Sequence, residues 1–123
     1  MTDVLSGKLS DILDLKAKGV IRVNSDCIVA SAARKMRDDK VGGLMVVEDD
    51  TLVGIFTERD LMSRVVAEGL DPEEIKVSEV MTSSIATVPP ETSVSEAANI
   101  MSQNRIRHLP VLQDGKLYGV ISA

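Results

Sequence analysis

Leu44-Met45-Val46-Val47-Glu48-Asp49-Asp50-Thr51-Leu52-Val53-Gly54-Ile55-Phe56 decides the fold, because the chain contains the pattern twice. The second version is Leu109-Pro110-Val111-Leu112-Gln113-Asp114-Gly115-Lys116-Leu117-Tyr118-Gly119-Val120-Ile121. In each, two short apolar runs flank an acidic turn: Leu44–Val47 and Leu52–Phe56 around Asp49-Asp50, then Leu109–Leu112 and Leu117–Ile121 around Asp114-Gly115. Asp-Gly between β-forming residues signals a hairpin, since the favoured tight turn needs positive φ at both central residues.

Working outward, the hairpins belong to a longer repeat. Shifted by 65 residues, Val20–Glu58 falls on Ile85–Ala123 without a gap. The identical pairs are Val23/Val88, Val29/Val94, Ala32/Ala97, Ala33/Ala98, Met36/Met101, Leu44/Leu109, Val46/Val111, Asp49/Asp114, Leu52/Leu117 and Gly54/Gly119. Almost all are apolar or turn residues, so the copies share a fold. Each copy opens with an extended piece, Ile21-Arg22-Val23 or Ala86-Thr87-Val88. A helix follows, with Val94, Ala97, Ala98 and Met101 at i, i+3, i+4 and i+7, matched by Val29, Ala32, Ala33 and Met36. Ser93-x-x-Glu96 has the capping-box form. After the first hairpin a second helix is expected over about residues 57–68. The order is β-α-β-β-α.

We therefore divide the chain into an N-terminal helical segment (1–19), a first repeat (20–68), a linker (69–84) and a second repeat (85–123). In the linker, Asp71 as N-cap with Pro72 at the first helical position predicts a short helical start. Ser10-Asp11-Ile12-Leu13 reads as a degenerate counterpart of Ser78-Glu79-Val80-Met81-Thr82. Neither half has a complete core of its own, so the halves are expected to pack about a pseudo-twofold axis.

Composition narrows the functional classes. The 123 residues are 44% apolar, yet contain no Trp, one Phe (Phe56) and one Tyr (Tyr118). The core must be aliphatic. A net charge of −5 argues against a broad nucleic-acid footprint, and stacking aromatics are missing. Cys27 is the only cysteine, so no internal disulfide or cysteine-pair zinc site is expected. No apolar run approaches the roughly 20 residues that span a bilayer. We expect a cytoplasmic protein without membrane contact. No nucleophile elbow, P-loop, Gly-x-Gly-x-x-Gly or metal-ligand cluster appears, so no enzyme and no metal are expected.

The repeat, with Ser78–Thr82, Arg107-His108-Leu109-Pro110-Val111, Gly54–Asp60 and Gly119-Val120-Ile121-Ser122, resembles the CBS domain pair, or Bateman module. The likeness extends from about Ser10 onward, and the Phe56-Thr57-Glu58-Arg59-Asp60-Leu61 stretch looks like small stand-alone bacterial CBS-pair proteins. It implies an α+β fold of tandem CBS repeats, each with a three-stranded sheet and two helices. It also implies a homodimer or higher assembly, an unidentified protein target, and a cleft that takes AMP, ADP, ATP or NAD(H), with S-adenosylmethionine less favoured.

The resemblance assigns ribose to Gly54, Thr57 and Asp60. A carboxylate suits two sugar hydroxyls, and a helix N-terminus favours an anion. Thr57-x-x-Asp60 is equally a plain capping box, which needs no ligand. Adenine falls to Val20, Ile21, Arg22, Val23 and Ile55, with ordinary strand packing the competing reading. Phosphate falls to Arg107 and His108, then Arg59 and Arg105, whose other reading is a solvated or ion-paired surface. Protonation of His108 would make that contact pH-dependent.

The copies are unequal. Gly42-Gly43 stands where the second copy has Arg107-His108. A second site over Thr87, Gly119 and Ser122 lacks its carboxylate, because the sequence stops at Ala123, and the second repeat is expected without its last helix. That would expose apolar surface for a partner chain to cover. The reading is a non-catalytic adenine-nucleotide sensor. The alternative is a ligand-free dimerisation or protein-interaction module.

Overall fold

The structure, a computed structural model, describes residues 7–10 and 20–122. Most of the expected N-terminal segment (1–19), including Asp11–Leu13 of the degenerate motif, lies outside the described residues. The chain forms two compact units. One is Ile21–Ile85; the other joins Ala86–Ala123 to the start of the chain.

In the first unit, strand β1 (Arg22–Asn24) leads to helix α1 (Val29–Asp39), then to β2 (Gly43–Glu48) and β3 (Thr51–Thr57). The sheet order is β1-β2-β3, parallel then antiparallel. Asp49 and Asp50 make the hairpin turn at φ 48° and 65°, a conformation that aspartate tolerates better than most residues. Helix α2 (Glu58–Asp60) continues as a π-helix over Leu61–Val66, with Ala67 N–H donating to the Met62 carbonyl at 2.9 Å. Helix α3 (Val77–Val80) closes the unit.

The side of the sheet facing α1 carries Val23, Leu44, Val46 and Phe56. They pack with Val29, Ala32, Met36, Val65, Val77 and Val80. Met45 and Ile55 alternate onto the other face and are buried as well.

The linker departs from expectation at its start. Asp71 does accept from the Glu73 N–H at 3.0 Å, but residues 71–74 form a turn and no helix. The carbonyls of Pro72 and Ile75 are taken by the first amides of α1, Ala30 and Val29, each at 2.9 Å. Those amides have no intrahelical acceptor, and Ile28 offers no side-chain cap, so the linker supplies the carbonyls.

The second unit holds helix α4 (Val94–Asn104) and the hairpin β4 (His108–Gln113) and β5 (Lys116–Ser122). Ser93 caps α4 by accepting from the Glu96 N–H at 3.1 Å. The turn residues Asp114 and Gly115 have φ 53° and 78°. The extended piece before α4 makes only a single parallel bridge, Val88 to Val111, and no third strand. Pro89 and Pro90 follow Val88, and without N–H groups they cannot extend a ladder. The core joins Val88, Ala97, Met101, Leu109 and Val111 to Leu9.

The docking segments are exchanged between the repeats. Val77 and Ser78 donate to the carbonyls of Cys27 and Ser25 at 2.8 and 3.1 Å. Leu9 and Ser10 donate to Thr92 and Pro90, the equivalent residues, both at 2.9 Å. Val29 donates to Ile75 and Val94 to Gly7. Each repeat's core is thus completed by the segment that precedes the other repeat in sequence.

Candidate functional site

The site begins where β3 ends. Thr57 keeps extended backbone (φ −117°, ψ 166°) while Glu58 is already helical, so Thr57 is the N-cap of α2. Its N–H donates to Asp60 Oδ2 at 3.0 Å, and the Asp60 N–H donates to Thr57 Oγ1 at 3.2 Å. The reciprocal capping box is complete. Asp60 Oδ1 accepts from the Thr82 hydroxyl at 3.1 Å and lies 3.7 Å from Arg64 Nε. Arg64 Nη1 also donates to the Met81 carbonyl at 3.0 Å. Asp60 is only 5% exposed, and this set of partners is what makes a carboxylate tolerable there. Each oxygen accepts one hydrogen bond and retains capacity for another.

Gly54 lies two strand positions before Phe56, on the core face. A Cβ at Gly54 would sit 2.6 Å from Met81 Sδ and 2.9 Å from the Thr82 carbonyl. The close approach that this glycine permits is therefore to residues 81–82 of its own chain. Ile55 and Thr82 exchange N–H···O bonds, both at 2.9 Å, so residue 82 bridges to the free edge of β3.

The adenine candidates separate by face. Arg22 pairs with Met45, and Met45 with Ile55, so these three form one row on the face away from α1. Val23 belongs to the core cluster instead. The Ile21 carbonyl accepts from the Met45 N–H at 3.2 Å. β1 is an edge strand, so its outer side is unpaired within the sheet. Val20 is half-buried, just before this unit.

Arg59 is exposed in the first turn of α2. In the second unit, Arg107 is exposed, and half-buried His108 pairs across the hairpin with Ser122. Arg105 terminates α4 in the left-handed conformation (φ 54°). Gly119 opposes Val111 in the hairpin ladder, and exposed Thr87 precedes the Val88 bridge. The Gly42 carbonyl accepts from the Glu58 N–H at 3.0 Å, and a Cβ there would lie 2.6 Å from Glu58 Oε1. A side chain at position 42 of the first repeat, where the second carries Arg107, would have to displace the exposed Glu58 carboxylate.

Two residues that the sequence reading left out of the site belong to it: Thr82 and Arg64. Arg64 had a signal, its i+4 spacing from Asp60 on one helix. Thr82 was legible only as the end of the Ser78–Thr82 motif; its hydrogen bond spans 22 residues.

The model of the CBS domain matches residues 9–67 and 77–123. A mitochondrial CBS domain-containing protein of Arabidopsis thaliana is 36% identical over 126 residues, covering 95% of this chain and 61% of that protein. The chain thus spans less than two thirds of that relative's length. Among solved structures, a CBS-domain containing protein from Agrobacterium tumefaciens superposes with a TM-score of 0.85 at 33% identity, covering 94% of this chain and 93% of the other. A hexameric CBS-CP12 protein from bloom-forming cyanobacteria gives 0.82 at 33% identity, over 96% of this chain and 65% of that one.

Proposed function

This chain belongs to the CBS-domain family, and from that premise we propose that it is a cytoplasmic regulatory module that binds an adenine nucleotide without transforming it. The carrying observation is the buried Asp60 carboxylate at the junction of β3 and α2, each oxygen holding one hydrogen bond and able to take another. In the bound state the ribose 2′- and 3′-hydroxyls take up that capacity, and Thr82 yields its hydrogen bond to them. Adenine lies along Ile21 and Arg22 at the edge of β1, with Ile55 on the same face as Arg22. Phosphate charge calls for cations, and the candidates are Arg59 in the first unit and Arg107, His108 and Arg105 in the second. Self-association into a homodimer accompanies this role, in keeping with the hexameric assembly of the cyanobacterial relative.

One observation favours the rival reading, a ligand-free interaction module. The capping box, the Thr82 contact and the packing over Gly54 satisfy this motif without any ligand.

Calorimetric titration with AMP, ADP, ATP, NAD and S-adenosylmethionine, with GMP as control, decides between them. An adenine ligand at about 100 times its Kd adds roughly 2.7 kcal/mol to folding stability. Binding that is lost in Asp60→Asn and weakened in Arg107→Ala supports the sensor. No heat and no thermal shift with any adenine compound gives the interaction module instead.

A further inference from the structure

The two repeats differ in charge beside the ribose motif, and the first unit shows what stands in for the missing cation. Gly43 pairs with Thr57 across the first hairpin, and His108 pairs with Ser122 across the second. Each repeat thus brings its residues 42–43 or 107–108 against its own Gly54-x-x-Thr57 or Gly119-x-x-Ser122 motif. In the second repeat those residues are Arg107 and His108, cations suited to phosphate. In the first they are Gly42 and Gly43.

The space that a side chain at position 42 would take is held by Glu58. A Cβ there would meet Glu58 Oε1 at 2.6 Å and its Cδ at 3.3 Å. The Glu58 N–H donates to the Gly42 carbonyl at 3.0 Å, which fixes the base of that side chain. Glu58 stands between Thr57 and Asp60 in the capping turn, so its charge shares that turn with both ribose candidates. Asp60 has the Arg64 guanidinium 3.7 Å away. The Glu58 carboxylate takes part in no ion pair among the described residues. Arg59 follows it, but neighbouring positions of a helix lie about 100° apart and do not face each other.

We propose that Glu58 is a specificity-determining residue of the first repeat: its carboxylate stands where the second repeat carries Arg107, and it ranks adenine ligands by the charge on their 5′ group, fewest phosphates first. This role rests on the adenine site proposed above and selects among its ligands. A ribose held at Asp60 through its 2′- and 3′-hydroxyls carries its 5′ group a few bonds away on the same ring. A phosphate there lies within a Debye length of Glu58, about 10 Å at 0.1 M salt, and is repelled. The uncharged 5′-hydroxyl of adenosine is not. Between partly exposed charges the effect is modest, about threefold for AMP and about tenfold for ATP at low salt.

The test is calorimetric titration of the parent, Glu58→Gln and Gly42→Arg with adenosine, AMP and ATP, each at low and high salt. Glu58 is exposed, and at position 42 only the far end of the Glu58 side chain has to move, so both variants fold. The quantity read is the ratio of ATP affinity to adenosine affinity, which a general loosening of the site would not shift. The parent favours adenosine. Glu58→Gln raises the ratio by about tenfold, Gly42→Arg raises it further, and high salt shrinks both changes. A parent that prefers ATP, or a ratio that neither variant moves, overturns the role of Glu58 and leaves adenine binding standing. Binding of none of the three ligands to the parent or to either variant overturns the adenine site itself, and the role of Glu58 with it.

Discussion

Thr82 donates its hydroxyl hydrogen to Asp60 across 3.1 Å, tying the segment after α3 to the cap of α2. The same carboxylate serves both as a helix cap and as the tie between these elements. Removing it therefore disturbs two structures at once. Asp60→Ala should cost about 1–3 kcal/mol, because the Thr57 N–H and the Thr82 hydroxyl lose their acceptor. In a double-mutant cycle, Asp60→Ala with Thr82→Val should show a coupling of about 0.5–1.5 kcal/mol, the net worth of one hydrogen bond. Urea denaturation measures both, and additive effects would show that the pair does not interact in solution.

Gly54→Ala should destabilise by about 1–3 kcal/mol, because the new methyl meets the Thr82 carbonyl at 2.9 Å. Hydrogen exchange gives a local signature. The amides of Ile55 and Thr82, which bond each other's carbonyls, should lose protection before those of β2.

Leu9 is 1% exposed in the core of the second unit. Leu9→Ala should cost about 2–5 kcal/mol, the range for a deleted buried leucine. The fastest increase in amide exchange should fall on residues 88–122, although the change is made near the start of the chain. A loss confined to residues 20–68 would contradict the exchanged packing.

The Cys27 thiol is pushed up from its ordinary range, first by burial and then by the neighbouring Asp26 carboxylate. Less thiolate is present at any given pH, so alkylation is slower. At pH 8.5, iodoacetamide should modify the folded chain more slowly than the chain in urea. Equal rates would mean that the thiol is solvated.

The repeat made most of the fold legible. Paired alanines, the turn aspartates and Ser93-x-x-Glu96 specify local structure, and the hairpins, both long helices and the Ser93 cap stand where the pattern put them. The linker was misread because Asp71-Pro72 is a sound local helix start whose carbonyls are claimed by α1, a nonlocal competition that no spacing reveals. The missing third strand of the second unit was written in Pro89-Pro90, but the likeness between the copies masked it. At the site, Thr57 and Asp60 could be read from the chain, whereas the role of Gly54 depended on which backbone comes to lie over it. That contact joins residues nearly thirty positions apart.

The exchanged docking segments put covalent order and packing order out of step. Contact between Leu9 and the core around Leu109 closes a loop of about 100 residues, a late and entropically costly event in folding. A cut near Glu68 would yield two pieces, each holding the part that the other needs: residues 7–10 on one, 75–80 on the other. Neither piece has a finished interior alone, because Val77 and Val80 belong to one core and Leu9 to the other. Duplication has in this way left two copies of which neither can be deleted and the other kept.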